Sequence, residues 1–253
     1  NVYTLDYTVE ITGHSDGAIV YDGTDYANGS TLTTTEFFTA EDVVVKTIGL
    51  YSFEVTLDKE NHKITVQYIA PKVVTAIKPE MFYTLECRSG AAHSTTRFIG
   101  DNGTVIDGRS AEPTFFMFEP GETEGTYYIK SVVSGKYINS DGTNLSASTT
   151  KSTAWTFGVG GKDKVSNVVT FGLSGDKYLN NNGTKCSDSS IANLQPNYHQ
   201  GGPASGNACS LWQMCEFEPD YNNYQVNILG DAVVTFDGVE YEDGATIKTL
   251  EFI

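Results

Sequence analysis

Three ten-residue stretches of this 253-residue chain follow one template. They read RFIGDNGTVI, KYINSDGTNL and KYLNNNGTKC, and they begin at residues 97, 136 and 177. Each starts with a basic, an aromatic and an aliphatic residue, and continues through Asp or Asn, Gly and Thr to a small or apolar residue. The strand-like start followed by an Asn-Gly or Asp-Gly turn predicts a β-hairpin in every copy.

Each template lies between an alternating, strand-like segment and a closing aromatic motif. Repeats of about 40 residues with four short strands occur in propellers and in three-fold barrels. An ordinary propeller needs at least about four blades, so three repeats favour a closed three-fold barrel. We predict this domain at 78–219, with Phe98, Tyr137 and Tyr178 equivalent. The closing motifs, predicted to be a second equivalent set, start at Phe116, Trp155 and Trp212.

The two ends of the chain carry two copies of another module. Apolar and polar residues alternate in YTVEI, from residue 7, and in YQVNI, from residue 224, which indicates half-buried strands. Residues 1–77 therefore predict a six- or seven-stranded immunoglobulin-like sandwich, and residues 220–253 predict the first half of a second copy. We expect the sequence to be a piece of a longer protein built from tandem modules. With a gap of two residues, the matched positions are Tyr7 with Tyr224, Val9 with Val226, Ile11 with Ile228, Asp22 with Asp237, Tyr26 with Tyr241, and Gly29 with Gly244.

The charge distribution limits the kinds of partner. The net charge is −16, with 11 acidic and 4 basic residues in 1–77, 14 and 11 in 78–219, and 7 and 1 in 220–253. Such a chain repels phosphate backbones and anionic membranes, so we predict no nucleic-acid partner. No apolar run is long enough to span a bilayer, which predicts no membrane insertion. Because no charged-then-apolar segment opens the sequence, we expect a leader peptide to be absent or already removed.

The middle segment resembles the β-trefoil of the ricin B-type lectin superfamily. The resemblance rests on SGKYI, DGTNL and AWTF with their two relatives, and the closing aromatic motif is similar to the family's Gln-x-Trp. The flanking modules resemble acidic immunoglobulin-like repeats of large secreted glycan-degrading proteins of gut Bacteroides-like bacteria. Together these resemblances imply an all-β chain, in which a β-trefoil lies between an immunoglobulin-like β-sandwich and a truncated second copy. They also imply a secreted or cell-surface location.

The sugar-binding pattern of that family is not kept. Its aspartate position holds Gly100, Asn139 and Asn180, and no Asn-Gln pair precedes the closing aromatic residues. The resemblance therefore implies the fold and not the specificity.

A search for catalytic and metal-binding motifs is negative. No HExxH, GxSxG or EF-hand loop occurs, and the four histidines are scattered. Glu119, Glu122 and Glu124 lie close together and could act as an acid–base pair, but a solvated turn is the simpler interpretation. We predict no cofactor, no metal site and no catalytic activity in this chain.

One segment of the third repeat is longer than the fold requires. The distance from template start to closing aromatic is 19 residues in the first two repeats and 35 in the third. Aromatic faces and planar amides are the groups that bind sugars, although the segment could equally be a surface loop without function. The candidate glycan-binding residues within it are Gln195, Asn197, Tyr198, His199 and Gln200.

Four cysteines lie in the middle segment. Cys186 occupies the apolar template position of Ile106 and Leu145, which predicts a Cys186–Cys209 disulfide across the extra residues. A Cys87–Cys215 disulfide is predicted between the first and last strands of the barrel. The alternative is four buried thiols.

These observations favour a non-catalytic, carbohydrate-binding part of a larger bacterial protein. The parent protein would carry a glycoside hydrolase domain in the same chain. The alternative is a structural spacer or adhesin stalk that makes only protein–protein contacts. Separately, we expect residues 220–253 either to exchange strands with another chain or to be weakly ordered. A third hypothesis, that this chain is itself an enzyme, has no motif in its favour.

Overall fold

The structure, a computed structural model, describes residues 4–35, 39–88, 98–162, 164–183, 185–198, 208–219, 222–228, 232–236 and 238–249. The chain is all-β, which confirms the all-β part of the predicted fold class. Within the described residues, the helical structure is one 3-10 turn at Ala40–Asp42. No helix in that part of the chain has the length and apolar character needed to cross a membrane. The chain divides into two compact units, Asn1–Lys72 and Val73–Ile253.

The first unit contains a four-stranded sheet and a separate hairpin. The sheet has the strand order β4-β1-β6-β5, and β2 pairs with β3. Alternate residues of β1 and β6 face one core, and the Tyr68 hydroxyl reaches Ala18 in the hairpin, whose N–H donates to it at 3.3 Å. The strands are β1 (Leu5–Thr12), β2 (Ala18–Tyr21), β3 (Thr24–Ala27), β4 (Thr31–Thr34), β5 (Ser52–Asp58) and β6 (Lys63–Ile69), and β7 (Lys72–Val74) lies at the junction of the units.

A polar turn joins β5 to β6. The Asp58 carboxylate accepts the backbone N–H groups of Glu60 and Asn61 at 3.1 and 3.0 Å. His62 has a positive φ of 49°. The short polar side chains at this turn replace the hydrogen bonds that the ladder loses there.

The second unit contains three repeats of four main strands followed by two short hairpin-like pairs. Residues 79–219 hold the repeats and residues 222–249 hold the pairs. The strands are β8 (Phe82–Cys87), β9 (Phe98–Asp101), β10 (Ile106–Ser110), β11 (Phe116–Pro120), β12 (Thr126–Ser131), β13 (Tyr137–Ser140), β14 (Leu145–Ser148), β15 (Trp155–Val159), β16 (Val169–Leu173), β17 (Lys177–Asn180), β18 (Ile191–Ala192), β19 (Gln195–Tyr198), β20 (Trp212–Phe217), β21 (Asn222–Gln225), β22 (Val234–Phe236), β23 (Val239–Tyr241) and β24 (Thr246–Thr249).

Six strands of the second unit pair into a closed ring. From β8 the pairs lead through β11, β12, β15, β16 and β20, and β20 pairs with β8 again. All six pairs are antiparallel. Each repeat contributes its first and last strands, so the three repeats take equivalent places around the ring. Closure leaves none of these six strands at an open sheet edge.

The closing aromatic residues are core residues with equivalent contacts. Phe116, Trp155 and Trp212 are all fully buried. The indole N–H of Trp155 donates to the Ile138 carbonyl at 2.8 Å, and that of Trp212 donates to the Leu179 carbonyl at 3.1 Å. Because the indole groups bond to the same template position in two repeats, these repeats share one internal geometry.

The hairpins of the three repeats also share a register. Gly100 pairs with Asp107, Asn139 pairs with Ser146, and Asn180 pairs with Gln195. The residue before Gln195 is Leu194, which is fully buried like Ile106 and Leu145. Leu194 therefore occupies the template position that the sequence assigned to Cys186, and that assignment is wrong.

The extra residues of the third repeat are split between two places. The paired hairpin positions are 15 residues apart in the third repeat and 7 apart in the others, so eight residues are added inside the hairpin. From Gln195 to the closing Trp212 is 17 residues, against 9 from Asp107 to Phe116, so another eight follow β19.

The first eight extra residues cover the hairpins of the other two repeats. The backbone N–H of Leu145 donates to the Lys185 carbonyl at 2.8 Å, and that of Ile106 donates to the Ser190 carbonyl at 3.0 Å. Leu145 bridges Cys186, and Ile106 pairs with Ile191, both in parallel. This part of the insertion therefore connects the three hairpins.

Residues 222–249 repeat the hydrogen bonding of the first unit. Tyr7 pairs with Leu32, and Tyr224 pairs with Ile247, the residue that matches Leu32. The N–H of Ile11 donates to Asn28 Oδ1 at 2.9 Å, and the N–H of Ile228 donates to Asp243 Oδ1 at 2.8 Å. The sequence alignment of the two copies thus corresponds to the same strand register.

Candidate functional site

The candidate segment of the third repeat forms part of a strand. Gln195 is buried, and its amide nitrogen donates to the Asn182 carbonyl. Asn197 uses its side-chain oxygen to accept the Tyr198 N–H at 2.9 Å. Tyr198 is 64% exposed. The structure thus leaves Tyr198 as an exposed aromatic face, whereas His199 and Gln200 lie outside the described residues.

A pocket of about 260 Å³ opens in the first repeat instead. It lies between the β9–β10 hairpin and the segment that leads to β11. Its residues belong to the template and to the stretch before the closing aromatic motif: Gly100, Asp101, Asn102, Val105, Asp107, Ser110, Glu112 and Thr114.

In the second repeat, an asparagine side chain occupies the position that corresponds to Gly100. Asn139, which matches Gly100, is buried and donates from its amide nitrogen to Ser148 Oγ at 3.1 Å and to the Thr150 carbonyl at 2.9 Å. Its amide oxygen accepts the N–H groups of Ser152 and Thr153 at 2.9 and 3.2 Å. One side chain therefore holds the whole segment that precedes β15.

The asparagine of the third repeat also bonds to the segment before the closing aromatic residue, through its amide nitrogen. The amide nitrogen of Asn180 donates to Ser210 Oγ at 2.9 Å, and its oxygen accepts the Asn182 N–H at 2.7 Å. Both Asn180 and Ser210 are fully buried. The adjacent Asn181, which matches Asp101, has a buried amide with no hydrogen-bond partner.

The first repeat lacks this amide because its residue is Gly100. A Cβ at Gly100 would lie 2.5 Å from Ser110 Cβ, so Ser110 takes part of the space. The Ser110 hydroxyl donates to the Glu112 carbonyl at 2.6 Å. The Thr114 hydroxyl, two residues before β11, is buried without a hydrogen-bond partner. Thr153, two residues before β15, instead donates to the Ser140 carbonyl at 3.1 Å and accepts the Ser140 N–H at 2.8 Å.

Two of the pocket carboxylates also have structural roles. Asp101 accepts the Gly103 N–H at 2.8 Å and the Ser134 hydroxyl. Asp107 accepts the Arg109 N–H at 2.8 Å and the Asn193 amide at 2.9 Å. These bonds fix the carboxylate positions in the wall of the pocket. Glu112 is exposed at its rim.

A second polar cluster, around Glu119, is satisfied by its own members. The carboxylate accepts the Tyr137 hydroxyl at 2.8 Å and pairs with Lys151 at 3.1 Å and Lys130 at 3.6 Å. Burial, followed by the bond to Glu119, raises the pKa of Tyr137 to about 12. Burial alone would raise the pKa of Glu119, but the Tyr137 and lysine contacts outweigh it and lower that pKa. This cluster connects β11 to β13.

The predicted Cys87–Cys215 disulfide is wrong, since both residues are thiols. Strands β8 and β20 are neighbours as expected, but Cys87 pairs with Trp212 and Cys215 pairs with Thr84. Three residues along a strand span about 10 Å and place the side chains on opposite faces. A disulfide needs Cα atoms about 4.4–6.8 Å apart.

The predicted Cys186–Cys209 disulfide is also wrong. Cys186 lies in the loop above the hairpins, where its thiol donates to the Leu194 carbonyl at 3.4 Å. Cys209 lies in the turn before β20, where the carbonyl of the preceding Ala208 accepts the Cys87 thiol at 3.4 Å. Burial raises the pKa of the Cys186 and Cys215 thiols, which lowers their reactivity at neutral pH.

In the described part of the chain, no group of three or more His, Cys, Asp or Glu side chains is placed to hold a metal ion. Comparison of the chain with protein-family models, with curated proteins and with solved structures gave no match. What the repeat-one pocket can bind therefore follows from its geometry alone. The sequence signal for it is the single glycine, Gly100, at a position where the other repeats have asparagine.

Proposed function

We propose that this chain is a non-catalytic, lectin-like region that binds carbohydrate in the pocket of the first repeat. The observation that carries the proposal is the Thr114 hydroxyl, which is buried without a hydrogen-bond partner and belongs to a residue that lines the pocket. A buried polar group without a hydrogen bond costs about 1–3 kcal/mol. A sugar hydroxyl, which both donates and accepts, would satisfy it.

The lining of the pocket favours a neutral sugar or an amino sugar. Asp107 and Glu112 are acceptors for hydroxyl or ammonium donors, and Asn102 offers an amide. An acidic sugar would meet three carboxylates in a chain of net charge −16. Drug-sized ligands occupy pockets of about 300–1,000 Å³, so this smaller pocket suits one sugar ring.

The fold that we propose for this role is a ricin-type β-trefoil between two immunoglobulin-like modules. The closed ring of six strands and the three hairpins in a common register support the trefoil. The sheet and hairpin of the first unit support the sandwich. The resemblance to secreted glycan-degrading proteins adds a secreted or cell-surface location and a glycoside hydrolase domain in the parent chain.

Binding at one small pocket is weak, and tethering makes it useful. A module attached to a hydrolase raises the effective concentration of that enzyme at its substrate by linking the two binding events. No catalytic step is assigned to the residues of this chain.

A structural spacer or adhesin stalk is the second candidate function. It is favoured by the repetition of the first unit in residues 222–249 with the same register. In that case the middle domain would make protein contacts only.

A glycan array with four proteins separates these functions. The proteins are the unchanged chain and the variants Glu112→Gln, Tyr198→Ala and Glu122→Gln. Glu122 is an exposed acid outside the pocket, so its variant controls for the loss of one charge. We expect the unchanged chain to bind neutral or amino glycans. Glu112→Gln should weaken that binding about tenfold or more, because a hydrogen bond to a charged group contributes about 1.5–3 kcal/mol.

The other variants determine which surface binds. If Tyr198→Ala abolishes binding and Glu112→Gln does not, the third repeat is the site and the pocket assignment is wrong. No binding by the unchanged chain across host and plant glycans would support the spacer.

A further inference from the structure

Three asparagines of the chain are followed by glycine, and all three are exposed to solvent. Asparagine is one of the thermolabile residues, and the glycine after it has no Cβ to shield its backbone nitrogen. Because exposure is the same at the three sites, the hydrogen bonds of the glycine N–H groups decide which site can react. The dipeptides are Asn28-Gly29 in the first unit, Asn102-Gly103 in the first repeat and Asn182-Gly183 in the third repeat.

In the first two of these turns a hydrogen bond holds the glycine N–H. The N–H of Gly29 donates to the Val9 carbonyl at 2.8 Å. The N–H of Gly103 donates to Asp101 Oδ1 at 2.8 Å. A backbone N–H that donates such a bond becomes available only when the structure opens locally. These two glycine nitrogens are therefore protected in the folded chain.

The third repeat lacks the side-chain acceptor that the other repeats supply. In the template this acceptor lies two residues before the glycine. It is Asp101 in the first repeat and Ser140 in the second, where Ser140 Oγ accepts the Gly142 N–H at 3.0 Å. The third repeat has Asn181 there, and its buried amide oxygen has no hydrogen-bond partner. The Gly183 N–H is therefore not held by the position that holds its counterparts.

The turn of the third repeat also has a different backbone conformation. Gly183 has a φ of 156°, whereas φ is 88° at Gly103 and 86° at Gly142. A Cβ at Gly183 would collide with the amide group of Gln195, so that side chain packs directly against the turn. The amide nitrogen of Gln195 donates to the Asn182 carbonyl. The third turn is thus fixed by Gln195 and not by the acceptor that the template provides elsewhere.

We propose that Asn182 is a site of spontaneous deamidation, whereas Asn28 and Asn102 are protected by the fold. The Gly183 nitrogen attacks Cγ of Asn182 and forms a new C–N bond, which closes a cyclic succinimide. The side-chain nitrogen leaves as ammonia and takes the proton of the Gly183 N–H. Water then opens the ring, at Cγ to give aspartate or at the backbone carbonyl to give isoaspartate. The sequence of steps consumes water and needs no oxidant or reductant.

Isoaspartate at this position would loosen the hairpin of the third repeat. The Asn182 N–H donates to Asn180 Oδ1 at 2.7 Å, and its carbonyl accepts the Gln195 amide. In isoaspartate that carbonyl becomes a free carboxylate, and the chain continues through Cβ and Cγ. Asn180 also donates to Ser210 Oγ at 2.9 Å, so the change reaches the segment before β20. The site is separate from the carbohydrate pocket, which lies in the first repeat.

Peptide mapping by mass spectrometry of the full chain, incubated at mildly alkaline pH, tests the proposal. We expect deamidation at Asn182 to be at least about tenfold faster than at Asn28 and Asn102, which corresponds to about 1.4 kcal/mol in the barrier. In concentrated urea the fold is lost, and the three rates should become similar. This comparison uses three sites of one unchanged chain, so it does not depend on the folding of a variant.

Two variants of Asn181 test the missing acceptor. Asn181→Ser places a hydroxyl where Ser140 holds its glycine N–H, and it should slow deamidation at Asn182. The matched control Asn181→Ala removes the same amide without supplying an acceptor, and it should not slow the reaction. Equal rates at the three sites of the folded chain, a difference that persists in urea, or equal slowing by the two variants would overturn the proposal.

Discussion

The first and second repeats of the middle domain have the same hairpin register and closing core residue, but they differ at one template position. Asn139 uses all of its amide hydrogen-bonding capacity on the segment before β15. Gly100 has no side chain, and the equivalent segment of its repeat borders a pocket with an unsatisfied Thr114 hydroxyl. A repeated fold can thus gain a pocket by losing the hydrogen bonds of one asparagine amide, while the hairpin register and the closing core residue stay the same.

The largest expected effect is a loss of stability on removal of the closing tryptophans, which the repeats place in the same core position. Trp155→Ala and Trp212→Ala should each lower the free energy of unfolding by about 3–5 kcal/mol, because each removes a fully buried aromatic side chain. Chemical denaturation followed by circular dichroism measures this change. A loss below about 1 kcal/mol for either variant would mean that the two repeats do not share a core position.

The next effect concerns the hydrogen bonds of the Asn139 amide. Asn139→Ala leaves the N–H groups of Ser152 and Thr153 without their acceptor and should cost about 1–3 kcal/mol. Amide exchange at residues 150–153 should become faster, while exchange at 110–114 should stay the same. Unchanged exchange at Ser152 and Thr153 would contradict the assigned role of the amide.

Variants of Thr153 and Thr114 compare the same position in the second and first repeats. Thr153→Val removes two hydrogen bonds with Ser140 and should destabilise the chain by about 1–2 kcal/mol. Thr114→Val removes a hydroxyl that has no partner, so it should be neutral or slightly stabilising. Thermal unfolding of the two variants side by side checks the difference, and an equal loss would show that the two hydroxyls have equivalent surroundings.

The smallest effect is the contribution of Tyr137, in the second repeat, to the pH dependence of stability. Tyr137 has its pKa raised from 10.0 to about 12 in the folded chain. Between these values the unfolded chain loses the proton while the folded chain keeps it, so stability falls as the pH rises through this window. Tyr137→Phe should weaken that fall. The control variant Tyr198→Phe also removes one tyrosine, but at an exposed position. Its stability should depend on pH as that of the unchanged chain does.

The all-β class, the hairpins and the duplicated module could be predicted because each leaves a local pattern. Alternation and Asn-Gly or Asp-Gly turns act over a few residues. The position of Leu194 could not be predicted, because strand pairing across the insertion decides which apolar residue enters the core. The template alignment assigns Cys186 to that position.

The pairing of the cysteines could not be predicted either, because it also depends on strand register. The neighbouring strands of Cys87 and Cys215 were predicted, but a three-residue difference in register separates the thiols. The pocket was missed for another reason. Gly100 was visible as a departure from a family pattern, whereas its consequence depends on the partners that Asn139 and Asn180 hold in three dimensions.

We propose that the first repeat, and not the third, contacts the sugar. Amide chemical shifts of the labelled full chain, titrated with the best monosaccharide from the array, test it most directly. We predict that shifts concentrate at Gly100, Gly103, Ser110 and Thr114, whereas Asn139, Asn180 and Tyr198 stay unchanged. Shifts centred on Asn197 and Tyr198 would place the sugar in the third repeat, and no saturable shift with any sugar would rule out carbohydrate binding by this chain.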